Sequence, residues 1–249
     1  MNILWGIAGI LAITVIGYLL SSARSSIKWR TILAGLGVQL TFAFIVLEWE
    51  QGRKALMAVS DAVQNLINYA NEGIAFVFGG LASSESVGFV FAINVLTIII
   101  FFSSLISVLY YLGIMQIIIK FIGGILSKLL GTSQAESVNA AANIFVGQTE
   151  APLVIRPFLG KMTRSELFAV MTGGLASVSG SVLVGYSLMG VPLEYLIAAS
   201  FMAAPAGLVM AKLLLPETEQ VDSSNFKMEK DTSSTNVIDA AARGAADGL

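Results

Sequence analysis

Long apolar runs with few charges dominate this sequence of 249 residues. Only 12% of the residues are charged and 56% are hydrophobic, whereas about a quarter of the residues in a soluble domain are charged. An α-helix needs about 20 consecutive apolar residues to cross the hydrocarbon core of a bilayer. The sequence therefore predicts an all-α membrane protein, a polytopic helical bundle that crosses the bilayer several times.

Composition also excludes several classes of function. A net charge of −2 gives no reason to expect a nucleic-acid partner. The absence of cysteine excludes a disulfide framework and a thiolate nucleophile. The absence of histidine argues against a zinc site or a histidine-based catalytic triad. We therefore do not expect an enzyme.

Five apolar runs are predicted to span the bilayer: residues 1–22, 31–47, 89–115, 167–189 and 193–215. The first run could instead be a signal peptide, because Ser21 and Ala23 would suit a cleavage site. Against this, no basic residue precedes the run, and it is longer than the usual apolar region of a signal peptide.

Two other segments are predicted to lie along the membrane surface. In residues 51–88, apolar residues recur at steps of three and four, which predicts an amphipathic interfacial helix: Ala55, Leu56, Val59, Val63, Leu66 and Ile67. A surface helix packed on the spans fits that pattern equally well. Residues 76–85 are a connection rich in glycine and serine. Residues 116–130 are the second segment predicted to run along the surface, because they carry two lysines and two glycines.

Basic residues predict the orientation. If Arg24, Lys28 and Arg30 are cytoplasmic, as the positive-inside rule favours, the N-terminus lies outside. Nearly every other basic residue then also falls inside: Lys120, Lys128, Lys161, Arg164, Lys212, Lys227, Lys230 and Arg243. This holds only if the segment between residues 134 and 160 enters and leaves on the same side.

That segment contains a concentrated group of polar residues, Gln148, Thr149 and Glu150, between Gly147 and Pro152. Proline removes a backbone donor and disfavours helix in the residue before it, so we predict a break between two short helices. Broken helices at membrane depth line solute sites in transporters. A re-entrant hairpin is one interpretation, and a loop at the membrane surface with a solvated Glu150 is the other.

Two capping boxes flank this segment. Ser133 and Glu136 predict the start of a helix over residues 134–145, which is too short to span. Thr163 and Glu166 predict the start of the span over residues 167–189. The small residues 173–181 in that span are typical of close helix packing, and they are also compatible with a partly unwound segment that faces the hairpin tip.

Residues 143–159, with the sequence NIFVGQTEAPLVIRPFL, resemble the signature of the concentrative nucleoside transporter family. The resemblance continues through residues 162–167, 170–180 and 203–205, and through the segment NVIDAAARGAADG at residues 236–248. It is specific over residues 132–249 and more diffuse over residues 1–131.

The resemblance implies a set of site residues. Gln148, Thr149 and Glu150 would contact the nucleobase, and Val182 would line the pocket. Sodium would be bound by side-chain oxygens of Asn143 and Ser177, and by backbone carbonyls of Val146, Ser177 and Val178. Proton coupling is the alternative, with Glu150 as the carrier, because a buried carboxylate can take up a proton near neutral pH.

The resemblance also implies an organisation. The chain would be the N-terminal portion of a longer symporter, the first part of an inverted-repeat fold that forms a homotrimer in the plasma or inner membrane. We expect scaffold spans over residues 1–131, the hairpin and two spans of the transport region over residues 132–215, and a cytoplasmic linker with the start of a helix over residues 216–249. A gate or channel module and a non-transporting scaffold fragment remain alternative functions.

Overall fold

The computed structural model describes residues 2–82, 88, 90–221 and 234–249, with side chains from Trp5 onward except at position 181. Within these ranges the chain is helical and contains no strand, which confirms the all-α prediction. In chain order the helices are α1 (Asn2–Leu19), α2 (Trp29–Ala43), α3 (Glu50–Phe78), α4 (Thr97–Tyr111), α5 (Ile114–Leu130), α6 (Gln134–Ala142), α7 (Arg164–Ala176), α8 (Gly180–Leu188), α9 (Leu193–Leu214) and α10 (Val237–Gly248).

In the described part of the chain, three helical segments are long and apolar enough to cross a membrane: Trp29–Glu48, Ala92–Tyr111 and Leu193–Leu214. They match the predicted second, third and last spans, and the first and second of them include a π-helical turn. The predicted span over residues 89–115 was too long, because Gly113 adopts a left-handed conformation with φ of 80° and separates α4 from α5. α1 contains a shorter apolar stretch, Trp5–Leu19.

Helix α3 is amphipathic, as predicted, but its buried face differs in part from the predicted one. Leu56 and Val63 pack against α9, and Ile67 packs with Ile98 of α4. Ala55 and Val59 are exposed, although the pattern included them in the apolar face. The helix also continues to Phe78, into the predicted connection, of which residues 83–85 lie outside the described residues. It is thus a surface helix that packs on two spans.

Helix α5 packs against α6 over much of its length. Met115, Ile119 and Val138 share one buried cluster, and Leu126 and Leu130 belong to a neighbouring one. The two helices approach so closely that a Cβ added to Gly123 would lie 2.7 Å from the Cα of Val138. α5 therefore supports the helix that leads into the polar segment.

Helix α10 docks along α4. Asn236 caps α10, since its Oδ1 accepts a hydrogen bond of 2.9 Å from the backbone N–H of Asp239. Ser104 of α4 donates a hydrogen bond of 2.8 Å to the carbonyl of Ala241. Gly244 lies directly on Ser107 of α4, where a side chain would not fit. Residues 222–233 of the predicted linker lie outside the described residues.

Several segments that are distant in sequence meet at one end of the bundle. The N–H of Ser22 donates to the carbonyl of Leu214 at 2.9 Å, which joins the end of α1 to the end of α9. A small cavity at this end is lined by residues of the α1–α2 link, the start of α6 and the end of α9, including Lys28, Ser133 and Lys212. The basic link and the base of the predicted hairpin thus lie on the same side of the molecule, as the charge pattern requires.

Candidate functional site

The polar segment begins where α6 ends. The Ser133–Glu136 capping box is present, with the Ser133 N–H donating to Glu136 Oε1 at 2.7 Å. The helix stops at Ala142, three residues short of the predicted Phe145. Residues 143–150 then form turns, and a 3₁₀ helix over Ala151–Lys161 leads away. The predicted break between two short helical segments is therefore confirmed.

A second break lies in the next predicted span. The Thr163–Glu166 capping box starts α7, with the Thr163 N–H donating to Glu166 Oε2 at 2.8 Å. α7 ends at Ala176, and Ser177 is extended, with φ of −115° and ψ of 163°. Ser179 caps α8 by accepting a hydrogen bond from the N–H of Val182. The segment of small residues is thus partly unwound, because Ser177–Ser179 interrupt what would otherwise be one helix.

The two breaks face each other. The N–H of Gly180 donates to the carbonyl of Phe145 at 3.1 Å, which ties the start of α8 to the turn after α6. A Cβ added to Gly174 would lie 2.9 Å from the Cβ of Gln148, so only glycine permits this approach. On the other side, Ser200 of α9 donates to the carbonyl of Ile144 at 3.0 Å. The turn is therefore held between α7, α8 and α9.

Gln148, Thr149 and Glu150 are all exposed at the tip of this turn. The carboxylate of Glu150 closes the turn locally: its Oε2 accepts from the N–H of Gly147 at 2.6 Å, and its Oε1 accepts from Thr149 Oγ1 at 3.3 Å. Val182 is 37% exposed, on the first turn of α8. The tip offers an amide and a carboxylate to a polar solute, with the turn geometry already fixed.

Asn143 occupies the opposite, buried side of the same turn. Its side chain is 1% exposed, and its Nδ2 donates to the carbonyl of Asn139 at 3.1 Å. Its Oδ1 is buried without a hydrogen-bond partner among the described residues, and it lies 4.0 Å from the Cβ position of Gly174. Buried oxygens of this kind are normally paired with protein, water or an ion.

The predicted sodium ligands suit a hard monovalent cation in their chemistry. They comprise neutral oxygens only, from two side chains and from carbonyls near two helix breaks, where the helical hydrogen-bond ladder ends. Val146 is 5% exposed, whereas Val178 is 37% exposed. Ser177 lies one residue beyond the end of α7, three residues after Gly174. The orphaned Asn143 oxygen is the observation that fits a bound cation.

Two buried polar features were missed by the sequence analysis. Asn139, one turn before Asn143, is 1% exposed, and neither of its side-chain polar atoms has a partner among the described residues. Lys212 on α9 is 8% exposed and lies 2.7 Å from Glu136 and 3.4 Å from Glu217. A lysine near the end of an apolar span could have indicated a buried ion pair at Lys212. Its partner Glu136 could not be identified, because it is remote in sequence.

Three family models match almost the whole chain. The one described as the Na⁺ dependent nucleoside transporter N-terminus matches residues 8–81. One described as nucleoside recognition matches residues 92–193, and the Na⁺ dependent nucleoside transporter C-terminus matches residues 195–249.

Relatives match over the full chain. An uncharacterised transporter of Bacillus subtilis, YutK, is 57% identical over 100% of this chain and 62% of its own length. The nucleoside permease NupC of Helicobacter pylori is 49% identical over 99% of this chain and 60% of its own length. The structure of CNTnw in an inward-facing substrate-bound state superposes with a TM-score of 0.95 and 55% identity, over 100% of this chain and 62% of CNTnw. The chain thus spans about three fifths of the length of these relatives.

Proposed function

Because the chain belongs to the Na⁺ dependent nucleoside transporter family, we propose that it provides the first solute-binding hairpin of a cation-coupled nucleoside symporter that imports nucleosides across the plasma or inner membrane. The single observation that carries this proposal is the meeting of two helix breaks, where the Gly180 N–H bonds the Phe145 carbonyl. Helix breaks that meet in this way build the binding sites of secondary transporters.

Gln148, Thr149 and Glu150 are proposed to bind the nucleobase, with Val182 lining the pocket. An amide, a hydroxyl and a carboxylate together can pair with the donor and acceptor edge of a base. Their exposure at the tip supports the proposal, because a site for an external solute must be open to it. A site that hydrogen-bonds its substrate rejects analogues strongly, since a wrong solute leaves polar groups unpaired.

Sodium is the proposed coupling ion, bound by Asn143, Val146, Ser177 and Val178. The buried Oδ1 of Asn143, which has no hydrogen-bond partner in the described part of the chain, supports this assignment. An ion at this position would join the turn after α6 to the end of α7, and so would fix the tip that binds the nucleoside. Each ligand would then lower the cost of ordering the site for the other. Proton coupling through Glu150 is the rival mechanism.

The hairpin is proposed to enter the membrane from the cytoplasmic side, with the N-terminus outside. Residues 1–131 would then be scaffold, residues 132–215 the moving transport region, and residues 216–249 a linker leading into a further helix. The docking of α10 along α4 would connect that linker to the scaffold. A homotrimer, which the resemblance implies, belongs to the same proposal.

Concentrative uptake distinguishes a symporter from a passive gate or a scaffold. The protein, expressed from its complete gene and reconstituted in vesicles, should accumulate labelled uridine above the external concentration when sodium is higher outside. A channel would equilibrate uridine without accumulating it, and a scaffold would not move it at all. Accumulation that is unaffected by dissipating the cation gradient would contradict the proposal.

A further inference from the structure

Two buried asparagines lie one helical turn apart at the end of α6. Asn139 and Asn143 are each 1% exposed, and the i, i+4 spacing places them on the same face of the helix. They are linked directly, because Asn143 Nδ2 donates to the backbone carbonyl of Asn139 at 3.1 Å. The family resemblance gives a role to Asn143 and none to Asn139.

The side chain of Asn139 is unusual in having no partner for either end. Its Oδ1 and Nδ2, like the Oδ1 of Asn143, are buried without hydrogen bonds to the part of the chain that the structure describes. Burying an unsatisfied amide costs free energy, whereas an apolar residue of the same shape would pack there without that cost. A folding role alone therefore does not account for an amide at this position.

Gly173 of α7 lies opposite the two asparagines. A Cβ added to Gly173 would lie 3.4 Å from Asn143 Nδ2 and 4.0 Å from Asn139 Nδ2. Gly207 of α9 packs on Gly173 from another direction, since a Cβ added to Gly207 would lie 3.3 Å from the Cα of Gly173. No side chain at Gly173 therefore separates the two amides from the backbone of α7. A half-turn of an amide exchanges its oxygen and nitrogen, so Asn139 can present Oδ1 on this side.

The two amides differ in their distance from the exposed tip. The tip lies beyond Asn143, while Asn139 lies one turn closer to the base of the hairpin. At that base Glu136 and Glu217 lie within 4 Å of Lys212, and Lys28 lines the same small cavity. A cation that moves inward from the Asn143 site would therefore meet Asn139 next.

We propose that Asn139 forms a second binding site for the coupling cation, one helical turn inward from Asn143. A partly hydrated sodium ion occupies this second site as it leaves or enters the Asn143 site. The inference rests on the proposed sodium coupling. Asn139 Oδ1 and water supply neutral oxygens, which suit a hard monovalent cation that must bind without being trapped.

The variant Asn139→Leu tests this proposal, with Ser137→Ala as its matched control. Both residues are buried on α6, but Ser137 is satisfied, because its Oγ donates to the Ser133 carbonyl at 2.6 Å. Two quantities are measured on the protein expressed from its complete gene: the sodium concentration that half-saturates uridine uptake, and the rise in thermal midpoint when sodium replaces choline.

Asn139→Leu should raise the half-saturating sodium concentration about tenfold, which corresponds to about 1.4 kcal/mol. It should also shrink the sodium-dependent rise in midpoint without lowering the midpoint in choline. Ser137→Ala should lower the midpoint in both salts and leave the sodium requirement unchanged. Asn139→Ala removes the amide without adding bulk and should reproduce the sodium effect if the leucine variant does not fold.

If both Asn139 variants keep sodium-driven uptake with an unchanged half-saturating sodium concentration, the second binding site is contradicted. The proposed function is not affected by that result. A fall in the choline midpoint with an unchanged sodium requirement would equally make Asn139 a structural residue. If the unmodified protein shows neither sodium-driven uptake nor a sodium-dependent midpoint, the proposed function fails and this inference fails with it.

Discussion

Lys212 Nζ lies 2.7 Å from Glu136 Oε2, and both side chains are buried, with 9% and 1% of their area exposed. The pair joins the end of α9 to the first turn of α6. Lys212 also donates to Ser165 Oγ at 2.9 Å, next to the start of α7. One ammonium group thus joins the first arm of the proposed hairpin to the helix that follows the hairpin.

Lys212→Met is expected to destabilise the protein by about 3–5 kcal/mol, because it leaves buried carboxylates without their counter-charge. The double variant Lys212→Met/Glu136→Gln should recover part of this loss. The measurement is the thermal or denaturant midpoint of the purified protein. Lys54→Met is the control, since the Lys54–Glu50 pair is exposed and worth at most about 1 kcal/mol. Equal effects of the two lysine variants would contradict the structural role of Lys212.

Adjacent glycines on α5 provide a second test of the packing. Gly123→Ala should destabilise the protein, because the new Cβ would lie 2.7 Å from the backbone of Val138 on α6. Gly124→Ala should be neutral or stabilising by up to about 1 kcal/mol, since nothing lies within 4 Å and alanine favours helix. Midpoints of the two variants, measured side by side, check this contrast. Destabilisation by both would show that α5 does not pack on α6 in this register.

Features of the fold that depend on contacts between residues close in sequence could be predicted from the sequence. Both capping boxes and the interruption near Ser177 depend on contacts within a few residues, and all three are present. The all-α class followed from the apolar runs. The family signature identified a group of polar residues at a turn, and the structure brings that turn against α7 and α8.

Features set by contacts between distant segments could not be predicted in the same way. The Lys212–Glu136 pair and the buried face of α3 depend on how helices pack, which periodicity alone does not determine. Asn139 appeared as an ordinary polar residue in a short helix, because its burial follows from the approach of α7 and α5. The end of α4 was misplaced since Gly113 interrupts a continuous apolar run.

The role of the Glu150 carboxylate in nucleoside uptake can be tested without disturbing the turn. Glu150→Gln should abolish most uridine uptake, because loss of a charged hydrogen bond to substrate costs about 1.5–3 kcal/mol. Glutamine keeps an oxygen that can accept from the Gly147 N–H, so folding should be preserved. Initial uptake rates and the amount of protein in the membrane are compared with those of Glu72→Gln, at an exposed position on α3. Normal uptake by Glu150→Gln would leave Glu150 as a structural residue of the turn.

The orientation can be tested with single cysteines, since the chain has none of its own. Ser25→Cys lies in the basic link and Gln51→Cys lies at the start of α3, and both positions are exposed. A maleimide that does not cross membranes should label the Gln51 variant on intact cells, and the Ser25 variant only after permeabilisation. The reverse pattern would place the N-terminus inside and the hairpin base outside.

The most direct test of the central claim is uridine uptake at fixed pH with external sodium replaced by choline. Asn143 Oδ1 is buried with no hydrogen-bond partner among the residues that the structure describes, and we expect that uptake falls to the background of cells lacking the protein. Restoring sodium should restore uptake in a saturable manner. Unchanged uptake in choline, together with stimulation by a pH gradient that is acid outside, would contradict sodium coupling and assign that role to the proton.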